Sequence, residues 1–241
     1  MRIPKFPDII SGIVFPVERF DCNAVRALKN KGGERMIYEV RTYTLKPGSV
    51  AQWEENFAKA LPVRTKHSEL GGLWHTEIGP LNQVVHIWPY EDLQQRTEIR
   101  AKAAQETGWP PAGGDLLLNM ESQIFIPAPF CPKIGGGQKL GNIYEMRIYQ
   151  YQPGSIPTVI ERWGEALQGG RLDLSPIAAC MHSEIGGLNV WIHIWPYKDL
   201  AERARIRAES QKLDSWPPKT REFLVGQETK ILVPASCSPM A

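Results

Sequence analysis

Apolar and polar residues alternate from Ile37 to Leu45, with Tyr38, Val40 and Thr42 on one face and Glu39, Arg41 and Tyr43 on the other, which predicts a strand. The period then lengthens to that of a helix. Val50, Trp53, Phe57, Ala60 and Leu61 form an apolar stripe, and Ser49 with Gln52 predicts a capping box at its start. Residues 74–90 alternate again on either side of Gly79-Pro80-Leu81-Asn82, a hairpin signal. A second helix is predicted from Leu93, capped by Asp92 and stopped before Trp109-Pro110-Pro111, and a last strand covers residues 121–126.

This order of periods occurs twice. Tyr38, Glu39, Arg41 and Tyr43 return 106 places later as Tyr144, Glu145, Arg147 and Tyr149. One residue is then inserted, and an offset of 107 carries His75 to His182, Glu77 to Glu184, His86 to His193, Trp88 to Trp195 and Trp109 to Trp216. The expected division is an extension over residues 1–35, which has no sustained period, a first domain over 36–128, a Gly/Pro linker over 129–142 and a second domain over 143–236. The extension reads as a flexible segment or as the product of an upstream start codon before Met36. Asp8, Glu18, Asp21 and Glu34 argue against a mitochondrial targeting peptide there.

Each half has the βαββαβ order of a ferredoxin-like α+β unit, an antiparallel sheet with both helices on one face. Strand parity is expected to put Glu39, Arg41, Tyr43, His75, Glu77, His86, Trp88, Glu121 and Gln123 on the face away from the helices. The two bare faces would then cover each other, so that two ferredoxin-like repeats pack sheet to sheet as an intramolecular barrel with a polar lumen. If Gly79 pairs with Asn82, His75 lies directly across from His86, with β-carbons about 5 Å apart. The same pairing of Gly186 with Asn189 sets His182 across from His193.

Tyr38-Glu39-Val40-Arg41-Thr42-Tyr43, Trp74-His75-Thr76-Glu77-Ile78-Gly79, His86-Ile87-Trp88-Pro89-Tyr90, and Asp92-Leu93 with Arg96 and Arg100, together with their second-half counterparts, resemble the NIPSNAP family. The resemblance spans about residues 36–236 and implies a dimeric α+β barrel, here made by one chain. It implies no established reaction. Animal members of the family are mitochondrial proteins associated with vesicle traffic and mitophagy, and bacterial members are small cytosolic proteins of unknown activity. The wider barrel group includes cofactor-independent monooxygenases, isomerases and haem enzymes, which is analogy at the level of fold.

The histidines admit three readings. They belong to a hydrogen-bonded structural network, in which Glu39 and Arg41 satisfy one another. Alternatively, they line a small-molecule site with cofactor-independent oxygenase or isomerase chemistry: one neutral imidazole among His75, His86, His182 and His193 takes a proton, Arg41 and Tyr43 hold an oxyanion, and Trp88 stacks on a flat substrate. Glu39, Glu77, Glu145, Arg147, Tyr149, Glu184 and Trp195 complete the candidate binding residues. In a weaker third reading His75, Glu77 and His86 hold a metal. No cofactor is expected. A non-catalytic scaffold or interaction module is the competing class: a void of several hundred Å³ bounded by these residues favours ligand binding, and a lumen filled by Trp88, Trp195, Tyr43 and Tyr149 favours the scaffold.

Charge narrows the partners. With 28 basic and 26 acidic residues the net charge is +2, so neither nucleic acid nor an anionic membrane is an expected partner. The apolar run at residues 9–15 is too short to span a bilayer. Further copies of the chain would meet through barrel edges or outer helices. Four cysteines without a Cys-x-x-Cys pair suggest reduced thiols in a cytoplasmic compartment; the resemblance to the NIPSNAP family implies a mitochondrial one if the source is a eukaryote. Arg96, Arg100, Arg203 and Arg207, spaced four apart near acidic residues, are expected on solvated helix faces.

Overall fold

A computed structural model describes residues 36–241; the expectations for residues 1–35 lie outside the described residues. The elements run β1 (Ile37–Leu45), α1 (Val50–Arg64), β2 (Gly72–Ile78), β3 (Gln83–Tyr90), α2 (Leu93–Ala103) and β4 (Leu117–Pro127). They repeat as β5 (Ile143–Tyr151), α3 (Ile156–Ala166), β6 (Ala179–Ile185), β7 (Val190–Tyr197), α4 (Leu200–Ser210) and β8 (Leu224–Pro234). Asp92 and Asp199 cap α2 and α4, accepting from the Gln95 and Glu202 backbone N–H at 2.7 and 2.8 Å. The capping box expected at Ser49 is absent, because its hydroxyl donates instead to the Lys46 carbonyl at 2.6 Å.

All strand pairings are antiparallel, and the sheet closes in the order β1-β3-β2-β8-β5-β7-β6-β4. Within each half the strands follow the ferredoxin-like order, and the halves join where β2 meets β8 and β4 meets β6. The fold is the expected α+β barrel. Closure consumes the edges of all eight strands, so association through barrel edges, expected as one route to an oligomer, has no free edge to use.

Except in β4, the two faces of the strands are the reverse of the parity assignment. Tyr38, Val40, Trp74, Val85, Ile87 and Phe125 from the first half meet Tyr144, Met146, Met181, Ile192, Ile194 and Leu232 from the second in one apolar lumen. Ile134 of the linker and Met240 near the C-terminus join that cluster, and the Tyr144 hydroxyl donates to the Met240 carbonyl at 2.8 Å. Tyr43, His86 and Trp88 instead pack beneath α1, and Tyr149, His193 and Trp195 beneath α3. The physical reason is access to water. A closed eight-stranded barrel has room inside for side chains alone, whereas the groove between sheet and helices opens at the helix ends, where guanidinium groups stay partly hydrated.

The hairpins also differ from expectation. Leu73 faces His86 and His75 faces Val84, a slip of two residues from the predicted pairing, and in the second half Cys180 faces His193. Gly79 and Asn82 adopt left-handed φ of 118° and 56° in a wider loop, and the Asn82 carbonyl is held by the Leu45 N–H at 2.8 Å. A two-residue slip keeps His75 on the same face as His86 but removes direct opposition. In β4, Ser122 and Ile124 pair with Arg41 and Glu39 and share their face, while Glu121 and Gln123 pair with Thr42 and Val40 on the lumen side to which parity assigned them.

Candidate functional site

Glu39 is fully buried beneath α2 and collects donors from four elements, the Tyr90 hydroxyl of β3 donating to its second oxygen at 3.4 Å. Arg96 donates at 2.6 Å, Ser122 at 2.6 Å and Arg41 at 3.0 Å, with Arg100 at 3.7 Å. Burial alone would raise its pKa; the hydrogen bonds from Arg96 and Ser122 and the charges of Arg41 and Arg100 outweigh burial and hold it at about 2. Glu145 repeats the arrangement with Arg203 at 2.7 Å, Arg147 at 3.1 Å and Arg207 at 3.6 Å, and its pKa is lowered by the same balance. The arginines expected on solvated helix faces thus turn toward the sheet, because a buried carboxylate attracts them more than solvent does.

Beside this cluster lies His86, 3% exposed. Its Nδ1 accepts from the Trp88 indole N–H at 2.7 Å, which leaves the ring proton of the neutral form on Nε2. Burial first, and the charge of Arg41 second, push its pKa down to about 3. Nε2 is buried and has no protein partner among the described residues. His193 matches it throughout: Trp195 donates to Nδ1 at 2.6 Å, burial depresses the pKa, and Nε2 is unpartnered. With Nδ1 occupied, the neutral ring of His86 and of His193 presents an N–H donor at Nε2 to the cavity.

Each histidine lines a cavity between sheet and helices. The first, of about 400 Å³, is bounded by Arg41, Tyr43, Phe57, Arg64, His86, Trp88, Tyr90, Arg100 and Trp109; the second, of about 410 Å³, by Arg147, Tyr149, Trp163, Arg171, His193, Trp195, Tyr197, Arg207 and Trp216. Arg64 lies 4.3 Å over the Trp88 ring and donates to the Tyr90 hydroxyl at 2.9 Å; Arg171 lies 3.8 Å over Trp195. Arg41, Arg96 and Arg100 face the single carboxylate of Glu39, and Arg64 lies over Trp88; with Arg41, Arg64 and Arg100 in its walls the aromatic-walled chamber is net positive. Burial raises the pKa of Tyr43 and Tyr90, so both phenols remain donors.

Other predicted residues fall elsewhere. His75 pairs with Glu54 of α1 at 2.8 Å, and Glu77 and Glu184 are exposed beyond the strand bulges. His182 is half-buried, with Nδ1 unpartnered among the described residues. No group of three or more His, Cys, Asp or Glu side chains converges among the described residues, so the His75, Glu77 and His86 metal set does not assemble. Cys131 and Cys180, distant in sequence, are adjacent: the Cys180 N–H donates to the Cys131 sulfur at 3.2 Å.

Arg64, Arg171, Tyr90, Tyr197 and Ser122 were not singled out from the sequence, although the repeat offset could have found four of them. Tyr90 maps to Tyr197 and Arg64 to Arg171 at 107 places. The inserted residue that changes the offset sits in a π-helical turn, Leu167–Arg171, between α3 and β6, and this widened turn returns Arg171 to the position of Arg64.

The fold and these pockets define a dimeric α+β barrel protein with two quasi-equivalent sites. A barrel provisionally named a monooxygenase from Lactobacillus acidophilus NCFM superposes with a TM-score of 0.58 at 12% identity, covering 84% of this chain and 95% of that one, a likeness of fold. The NIPSNAP family model matches residues 38–132 and again 144–239. Human NipSnap homolog 3A is 33% identical over 218 residues, covering 85% of this chain and 86% of its own length, and mouse NipSnap homolog 3B is 33% identical over 219 residues, covering 85% of each. The chain belongs to the NIPSNAP family. No helix among the described residues is long and apolar enough to cross a membrane.

Proposed function

We propose that the protein binds small flat anions, such as aromatic carboxylates or phenolates, in the pockets between the sheet and the outer helices. The observation that carries this reading is a buried, neutral imidazole with an unpartnered Nε2 in an aromatic chamber where arginines outnumber carboxylates. A ligand oxygen would accept from His86 Nε2–H and from Arg41, whose Nε is likewise buried without a partner among the described residues, and its ring would lie against Trp109 and Phe57. Oxygenase chemistry, suggested by the printed names of fold neighbours, or isomerase chemistry would use the same donors to stabilise an enolate or phenolate; the occupied Nδ1 speaks for recognition and charge stabilisation over proton abstraction.

Titration of the full chain with benzoate and phenolate probes, followed by tryptophan fluorescence and thermal shift at pH 7.5, tests this. Saturable binding should raise stability by about 2.7 kcal/mol per occupied pocket at a hundredfold excess over Kd. It should weaken in His86→Phe and His193→Phe. Absence of saturable binding by every aromatic anion tried would sink the proposal.

A further inference from the structure

The two pockets share the Arg, Tyr, His and Trp residues of their walls, Arg41, Tyr43, His86, Trp88 and Trp109 and their counterparts, but differ elsewhere, most clearly at the exposed rim. Met120 of the first is replaced by Gln227 in the second, Ala104 by Gln211, and Gly114 by Arg221. The second pocket also contains a hydroxyl pair, Tyr151 with Thr220 at 2.9 Å, where the first half has Leu45 and Gly113 at the repeat-equivalent positions. The exposed rim differences run the same way: Met120, Ala104 and Gly114 close the first pocket with apolar and small residues, and Gln227, Gln211 and Arg221 close the second with amides and an additional cation, while the Tyr151–Thr220 pair lies buried in its wall.

We propose that the halves have diverged in ligand choice, the first pocket taking a flat aromatic monoanion and the second a flat anion with a second acidic substituent that meets Arg221 and Gln227. This rests on the anion-binding reading above. A rim guanidinium and amide reward a second carboxylate, while the same carboxylate placed against Met120 and Ala104 would lose water without gaining a partner. The deep donors, Arg41 with His86 and Arg147 with His193, serve the first anionic group in both sites.

The test uses the full chain with its tryptophan indoles labelled with nitrogen-15, and the Trp109 and Trp216 signals assigned by substitution to Phe. Benzoate and isophthalate are titrated separately. Isophthalate is expected to saturate the Trp216 signal at a concentration about tenfold lower than the Trp109 signal, with benzoate lacking that preference. The double variant Arg221→Gly, Gln227→Met should abolish the preference. The reciprocal Gly114→Arg, Met120→Gln should confer it on the first pocket; a Cβ added at Gly114 meets nothing within 4 Å, and Gly114 is exposed. Equal responses of both indoles to both probes would overturn the divergence and leave the anion-binding reading standing. No response of either indole to either probe would overturn both.

Discussion

At Glu39 a carboxylate with no exposed surface is kept ionised by three guanidinium groups and a serine hydroxyl, an arrangement costly to leave incomplete. Glu39→Gln should therefore destabilise the fold by about 3 to 5 kcal/mol, measured by urea denaturation; a loss below about 1 kcal/mol would mean that the arginines find water instead. The histidines give an acid-dependent signature. The folded pKa of His86 is about 3 and that of His193 is well depressed, against about 6.5 in an unfolded chain. Between these values the unfolded state binds more protons, so stability falls as pH falls from about 6.5 toward 3. Buried His86 should cost about 2 kcal/mol at pH 5 relative to pH 8, and His193 should act in the same direction. Glu39 adds a second loss as pH falls from about 4.5 through 2. A double His86→Phe, His193→Phe variant should flatten the stability profile between pH 6.5 and 5; an unchanged slope would place the protons elsewhere.

At the level of elements, α1 and α3 deliver the same arginine by different routes. α1 reaches Arg64 as its last residue, whereas α3 needs the π turn Leu167–Arg171 to accommodate one more residue before Arg171. Gly169 in that turn lies against Ser215, where an added methyl group would sit 2.4 Å from the serine side chain. Deleting Gly169 should rotate Arg171 by about 100° away from Trp195 and remove a cation–π contact worth about 1 to 2 kcal/mol. The expected result is a lowered melting temperature and loss of anion binding in the second pocket, with the first unaffected. Equal loss in both pockets would contradict their independence.

Over the whole molecule, each half lends its two edge strands to the other, β2 to β8 and β4 to β6, and the apolar lumen draws on both. Neither half can bury that face alone. Residues 36–128 produced by themselves should therefore associate, as a homodimer that rebuilds the barrel, when measured by light scattering after size exclusion. A stable monomer of that fragment would show that the lumen contacts are dispensable.

The amino-acid sequence by itself determined the strand and helix periods, the duplication with its one-residue insertion, and the α+β barrel those patterns imply, because periodicity follows from local backbone geometry and reappears in both halves. It also nominated Glu39, Arg41, His86, Trp88 and their counterparts, since polar residues in an otherwise buried alternation stand out. Tertiary structure alone decided which face of each strand meets the lumen. Alternation separates two sets of side chains but assigns neither to a side when both sides are buried, and both are buried here. The two-residue hairpin slip preserved parity and so left no trace in the pattern. The recruitment of Arg64 and Arg96 to the buried site likewise depends on where helices dock against the sheet, a long-range contact that no local period encodes.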